Sequence, residues 1–257
     1  MNTFIAKIKY NIFPFLEFKK KNLSLGKKVY ISLNTFMMVA VFLFIGLYIF
    51  SSSFYKHKLT TNNITIYFNE DMNDNEKFIK AIKNAEKVLR DNILYDDNYS
   101  VQIYLADYKL LYNYMATPFH IGTVAINLFD HISIRNEDIK ASKNRYHFLS
   151  KEIVHEVIHT LQAMKYGGWI KSGITLPTWV KEGYAEYIEK NKVPHSNPKK
   201  FLQNNNNNEN YTLWALMTKH AIEHMHKSVD ELHLGKVEYD EVLNSLLVEY
   251  NIIKLKK

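Results

Sequence analysis

The sequence contains no cysteine, so it can form no disulfide framework and has no thiolate to serve as nucleophile or metal ligand. Any site chemistry falls to His, Asp and Glu. A basic nucleic-acid-binding face is also lacking. Of the formal charge of +7, residues 1–28 hold seven Lys against one Glu, or +6, which leaves 7 − 6 = +1 for everything downstream. Lysines gathered ahead of an apolar run, rather than on the folded domain, exclude DNA or RNA as the expected partner. There is no internal repeat and no lipidation signal. At 257 residues the chain has room for one membrane helix and one domain of roughly 200 residues, but not for a second large domain.

The longest uncharged apolar run is Val29 to Phe50, with Asn34 its one strongly polar residue. As a helix it would measure roughly 33 Å, enough for a bilayer core. Lys19, Lys20, Lys21, Lys27 and Lys28 precede it and only Lys56 and Lys58 follow closely. The positive-inside rule therefore predicts a single-pass membrane protein, its N-terminus cytoplasmic and its C-terminal domain extracytoplasmic. The long basic tail and the length of the run favour an anchor over a cleaved signal peptide, although Ser51, Ser52 and Ser53 are small. The expected divisions are a basic cytoplasmic tail at 1–28, a transmembrane helix at 29–50, a stalk at 51–60 and a catalytic domain at 61–257. Phe4, Ile5, Ile8, Ile12, Phe13, Phe15, Leu16 and Phe18 among the tail lysines suit an interfacial amphipathic stretch interrupted at Pro14, and equally a disordered tail.

In the downstream domain, Ile64, Ile66 and Phe68 alternate with Thr65 and Tyr67, the period of a half-buried strand. Phe78, Ile79, Ile82, Ala85 and Leu89 recur at helical spacing, and Val101, Ile103 and Leu105 restore a strand, giving a β-α-β opening. A helical or looped segment is expected at Lys109 to Met115 and another strand at Thr123 to Phe129, ending at Asp130. From Phe148 to Tyr166 the pattern is helical, closed by Gly167 and Gly168, and a further helix follows Pro177 from Trp179 to Glu189. Helical periodicity returns at Tyr211 to Lys227 and Tyr239 to Tyr250. The run Asn204 to Asn208 is read as a solvated loop.

The stretch His155, Glu156, Val157, Ile158, His159 carries the chemistry. A spacing of four stacks both imidazoles on one helix face within reach of one ion, and Glu156 beside them can take a proton from water without being a ligand. Catalytic zinc sites use three protein ligands, and Glu182, across a glycine turn on the next helix, completes the set. Glu186, one turn on, suits an outer role, accepting the free N–H of a ligating histidine. Tyr211, His220 and Tyr184 are candidate stabilisers of an oxyanion. His220, His224 and His226 repeat part of the spacing with no carboxylate signature after them, and are read as a solvated or core-facing group.

Together with Trp179, Glu182, Gly183, Ala185, Glu186 and Tyr187, this motif resembles the gluzincin clan of metallopeptidases, in particular the bacterial peptidase-MA-like families with a W-x-x-E-G-x-A-E-Y signature. The likeness covers roughly residues 120–250. It implies His155, His159 and Glu182 as ligands of one Zn2+ per chain, Glu156 as the catalytic glutamate and a peptide or protein as substrate. It also implies that the strand before the metal helix, here Thr123 to Leu128, pairs with extended substrate. The exopeptidase signature of the aminopeptidases is missing, so the resemblance does not carry their activity. The expected fold class is α+β: a single N-terminal transmembrane helix, then a zincin-like domain with a small N-terminal β-sheet and helices, a metal-binding helix and a helical C-terminal half. Two other readings stand beside it. One is an inactive gluzincin-like domain that binds a peptide or partner. The other is a di-iron carboxylate bundle using Glu156, His159, Glu223 and His226, bridged by Glu182 or Glu186.

Overall fold

The computed structural model describes residues 25–49, 51–69, 75–107, 125–128, 130–190, 198, 199, 202 and 211–252. The expected amphipathic tail, the segment Lys109 to Met115 and the five-asparagine run lie outside the described residues. Two compact units divide between Ser51 and Ser52.

In the first unit a helix, α1, runs Leu25–Ile49. Among the described residues no helix is long and apolar enough to cross a membrane. That overturns the transmembrane helix expected at 29–50, together with the single-pass topology and the extracytoplasmic placement that rested on it. The helix begins inside the basic segment and takes in Lys27 and Lys28, while Ser32, Asn34 and Thr35 interrupt the apolar surface of its first half. The Thr35 hydroxyl is satisfied within the helix, donating to the Ile31 carbonyl at 2.7 Å.

The second unit is α+β, built on a five-stranded sheet. Its strands are β1 (His57–Thr60), β2 (Ile64–Phe68), β3 (Val101–Ala106), β4 (Ala125–Leu128) and β5 (His131–Arg135), and its first helix, α2 (Asn75–Arg90), links β2 to β3. The strand order is β1-β2-β3-β5-β4. β2, β3 and β5 are parallel, while β1 and β4 are antiparallel edges. The expected stalk at 51–60 is thus partly a strand, with Leu59 opposite Ile66. β5 continues the alternation past Asp130 through Ile132 and Ile134, both wholly buried.

The further helices among the described residues are α3 (Asn136–Ala141), α4 (Arg145–Lys165), α5 (Trp169–Thr175), α6 (Thr178–Glu189), α7 (Tyr211–Glu223), α8 (Val229–His233) and α9 (Tyr239–Glu249). α2 turns Phe78, Ile82, Ala85 and Leu89 inward, as its period requires, and packs on α4. α4 is the central element, touching α2, α3, α5, α6 and β4. Its inner face, Ile153, Val154, Val157, Ile158 and Leu161, is at most 2% exposed. Burying a side chain of that size stabilises by about 1.5–3 kcal/mol, which fixes the helix's rotation and so the direction of every polar residue on it.

Candidate metal centre

Asn144 caps α4, its side chain accepting from the His147 N–H. With the apolar face locked, His155 and His159 emerge one turn apart, their ring centroids 4.8 Å apart and their planes at 86°. The chain turns back through Gly167 and Gly168, whose φ angles of 102° and 89° suit glycine. α5 and Pro177 then lead into α6. α6 lies unusually close to α7 because Gly183 has no side chain: a Cβ there would stand 2.6 Å from the Trp214 carbonyl oxygen and 2.7 Å from the Thr218 hydroxyl.

This approach delivers Glu182 to the two histidines. One carboxylate oxygen, Oε2, stands 3.5 Å from His155 Nε2 and 3.3 Å from His159 Nε2. Donors about 2.0–2.1 Å from a tetrahedral zinc ion stand about 3.3 Å apart, so the donor set and its spacing fit that ion. The other oxygen, Oε1, meets Lys181 Nζ at 3.0 Å, which leaves Oε2 to the histidines. Burial opposes ionisation of Glu182, yet the neighbouring His159 and His155 imidazoles and Lys181 hold its pKa well below the usual carboxylate range.

The far nitrogens of both rings are also held. His155 Nδ1 lies 3.3 Å from Glu189 Oε2, and His159 Nδ1 lies 2.9 Å from Gln162 Oε1. The carboxylate on His155 Nδ1 is therefore Glu189, and Glu186, expected there, pairs with Lys190. Glu186 still stands in the same cluster, with His155 and Glu189. Burial works against a charge on His155, but hydrogen bonds to Glu182 and Glu189 outweigh it and raise its pKa well above the ordinary value. Protonation is one way to supply the positive charge these carboxylates require, and a divalent cation between the Nε2 atoms and Glu182 is the other. Glu189 is ionised despite burial, held below its usual range chiefly by His155.

Glu156 is 8% exposed. Burial raises its pKa against the pull of His159 and His155, the poise of a general base. Its backbone carbonyl accepts from Asn127 Nδ2 at 2.6 Å, and the same amide reaches the Thr160 hydroxyl at 3.0 Å. Edge strand β4 is thereby fastened to the helix bearing Glu156. One turn earlier, burial pushes Glu152 up to about 7, opposed by His155.

The three oxyanion candidates are engaged elsewhere. Tyr184 is 1% exposed, its hydroxyl exchanging hydrogen bonds with Asn92 at 3.1–3.2 Å. Tyr211 is half exposed with its ring against Trp214. His220 lies against Ser245 and Glu249, at 2.9 and 2.6 Å. Glu249 also reaches His224, at 3.4 Å, so a carboxylate does join that pair, from α9. For the di-iron arrangement, Glu223 accepts from the Tyr187 hydroxyl at 3.0 Å. Neither Glu223 nor His226 joins a His/Glu cluster among the described residues.

No family model, curated protein or solved structure matches this chain. The case for the site is its own geometry. Three participants were absent from the motif reading: Gln162, Glu189 and Asn127. Two of them carried a signal. Glu189 follows Glu182 by seven residues on α6 and Gln162 follows His159 by three on α4, so each shares a helix face with a ligand, although Glu189 reaches across to His155. Asn127 comes from another element and had none.

Proposed function

We propose that the protein is a zinc-dependent peptidase of the gluzincin kind, with His155, His159 and Glu182 holding one Zn2+ and Glu156 as general base. The observation that carries this reading is the convergence of two imidazole Nε2 atoms on a single Glu182 oxygen, at 3.5 and 3.3 Å, with Glu156 buried beside them. Zinc, when bound, supplies a Lewis acid that polarises a scissile carbonyl and lowers the pKa of water. Glu156 takes the proton from the attacking water and returns it to the departing amine, a transfer favoured by its raised pKa. Glu189 and Gln162 orient the two imidazoles. β4 is an edge strand fastened at Asn127, so an extended peptide pairing along it would lie in fixed register with Glu156.

The test uses the full chain. Zinc stoichiometry is measured and cleavage of a mixed peptide library followed with and without chelator, for wild type and Glu156→Gln. The reading requires one zinc per chain, turnover that the chelator stops, and a Glu156→Gln variant that keeps the metal but loses turnover by 10²-fold or more. Zinc bound without any turnover would instead mark a peptide- or partner-binding domain, and no bound zinc would end the proposal.

A further inference from the structure

Behind His159 lies a buried chain of hydrogen bonds joining α4 to α8, and its two ends fix every proton along it. His233 is 3% exposed and Gln162 1% exposed, so water does not complete their bonding. His233 Nδ1 lies 2.7 Å from the Val229 carbonyl oxygen. A carbonyl can only accept, so Nδ1 carries the hydrogen. Burial pushes the His233 pKa down to about 4, so the ring is neutral near pH 7 and its Nε2 is a bare acceptor. Gln162 Nε2 stands 3.0 Å from that nitrogen and 3.1 Å from the Lys181 carbonyl oxygen. The amide nitrogen alone can donate to both. With the amide reversed, its oxygen would face the Lys181 carbonyl, acceptor against acceptor. Gln162 Oε1 is thus committed to His159 Nδ1, at 2.9 Å.

We infer that Gln162 and His233 form a positioning relay which keeps a proton on His159 Nδ1 and so leaves Nε2 as the nitrogen that can take a divalent cation. This deepens the zinc reading above and rests on it. With Nδ1 occupied by Gln162, Nε2 is the nitrogen left to face Glu182 Oε2, at 3.3 Å, and it is through that atom that the ring would meet an ion. The relay is rigid. The His233 ring is stacked on Tyr166 at 4.6 Å and 9° and met edge-on by Tyr184 at 5.1 Å and 85°. The Tyr166 hydroxyl donates to Asp230 at 2.7 Å, Lys165 reaches the same carboxylate at 2.8 Å, and Ser228 and Glu231 close a capping box on α8. The tyrosine of the Glu182 helix thus also clamps the far end of the relay.

The experiment is long-range 1H–15N correlation of the imidazoles in chelated full-length protein, paired with zinc titration by calorimetry. Protonated Nδ1 is expected at both His159 and His233. A bare Nδ1 at either overturns the relay, whatever the zinc result. In Gln162→Met, His159 should shift toward the Nε2–H form and zinc affinity should fall 10–100-fold. Gln162→Glu keeps an acceptor toward Nδ1 and should hold the Nδ1–H form, although its second oxygen then meets the Lys181 carbonyl and lowers Tm. Unchanged affinity and tautomer in Gln162→Met would sink the relay while leaving the zinc site standing. Failure of wild type to bind zinc refutes the zinc reading instead, with the tautomers of the metal-free protein still judging the relay. Should Gln162→Met not fold, the wild-type spectra decide.

Discussion

Replacing Gly183 by alanine tests whether the approach of α6 to α7 positions Glu182. The new Cβ would sit 2.6 Å from the Trp214 carbonyl oxygen and 2.8 Å from its carbon, against an optimum of about 3.5 Å for such contacts. A backbone carbonyl cannot swing aside, so the helices must separate by roughly 0.5–1 Å or bend, costing about 3 kcal/mol, the upper part of the overpacking range. Alanine's better helix propensity returns about 1 kcal/mol. The net loss is about 2 kcal/mol, a fall in Tm of about 4–8 °C for a domain of this size. Because Glu182 is the adjacent residue, the displacement exceeds the roughly 0.2 Å tolerance of a metal site, and zinc affinity should fall as well. Gly173, in α5, is the control. Nothing lies within 4 Å of a Cβ built there, so Gly173→Ala should raise Tm slightly and leave zinc binding alone. Differential scanning calorimetry and zinc titration of both variants are sufficient. If Gly183→Ala is as stable as Gly173→Ala and binds zinc normally, the close-approach argument is wrong.

Glu182→Gln keeps the shape but removes the charge shared by two imidazoles, so zinc affinity measured by competition with a chromophoric chelator should drop at least tenfold. Tyr184→Phe should cost about 1–3 kcal/mol in chemical denaturation, because Asn92 Nδ2 loses its buried partner. Its turnover of peptides should be unchanged, since that hydroxyl is committed to Asn92; a loss of kcat would restore Tyr184 as an oxyanion donor. His233 sets a pH limit. Its pKa is near 4 in the fold against 6.5 ordinarily, so the unfolded chain binds the extra proton between those values. Its contribution is complete above about pH 6.5 and falls by about 3 kcal/mol as the pH drops to 4. His233→Phe should flatten that part of the stability curve, and an unchanged slope would refute the assignment. Chelation of the purified protein should lower Tm by an amount that grows with free zinc over Kd.

Short-range periodicity made much of the second unit legible. Ile64, Ile66 and Phe68, the face Phe78-Ile82-Ala85-Leu89 and the His155/His159 pair all depend on neighbours within a turn or two, where spacing alone fixes the facing. The strand β1 was hidden because His57-Lys58-Leu59-Thr60 is polar enough to pass for a tether; only pairing with β2 makes it a strand. Asp130 does end the strand expected before it, and the readable alternation after it, in β5, went unread. The membrane helix expected at 29–50 is not found among the described residues, where no helix is long and apolar enough to cross a membrane. At the site, the ligands and the general base were legible because all lie on two helices with fixed faces. Which carboxylate takes His155 Nδ1 was not, since Glu186 and Glu189 share a face and only the packing of α6 on α4 chooses between them. His233 and Asn127 reach the centre from distant elements, and nothing in their neighbourhoods along the chain announces it.

The three proposed ligands all fall between positions 155 and 182, on two helices joined by one short helix and two glycines. Closing so short a loop is entropically cheap, so an ion could gather this hairpin in a chain whose sheet has not yet formed. The denatured ensemble would then retain affinity for the ion. Titrating zinc should consequently protect against urea less than the native affinity implies, and refolding should quicken when the ion is present from the start.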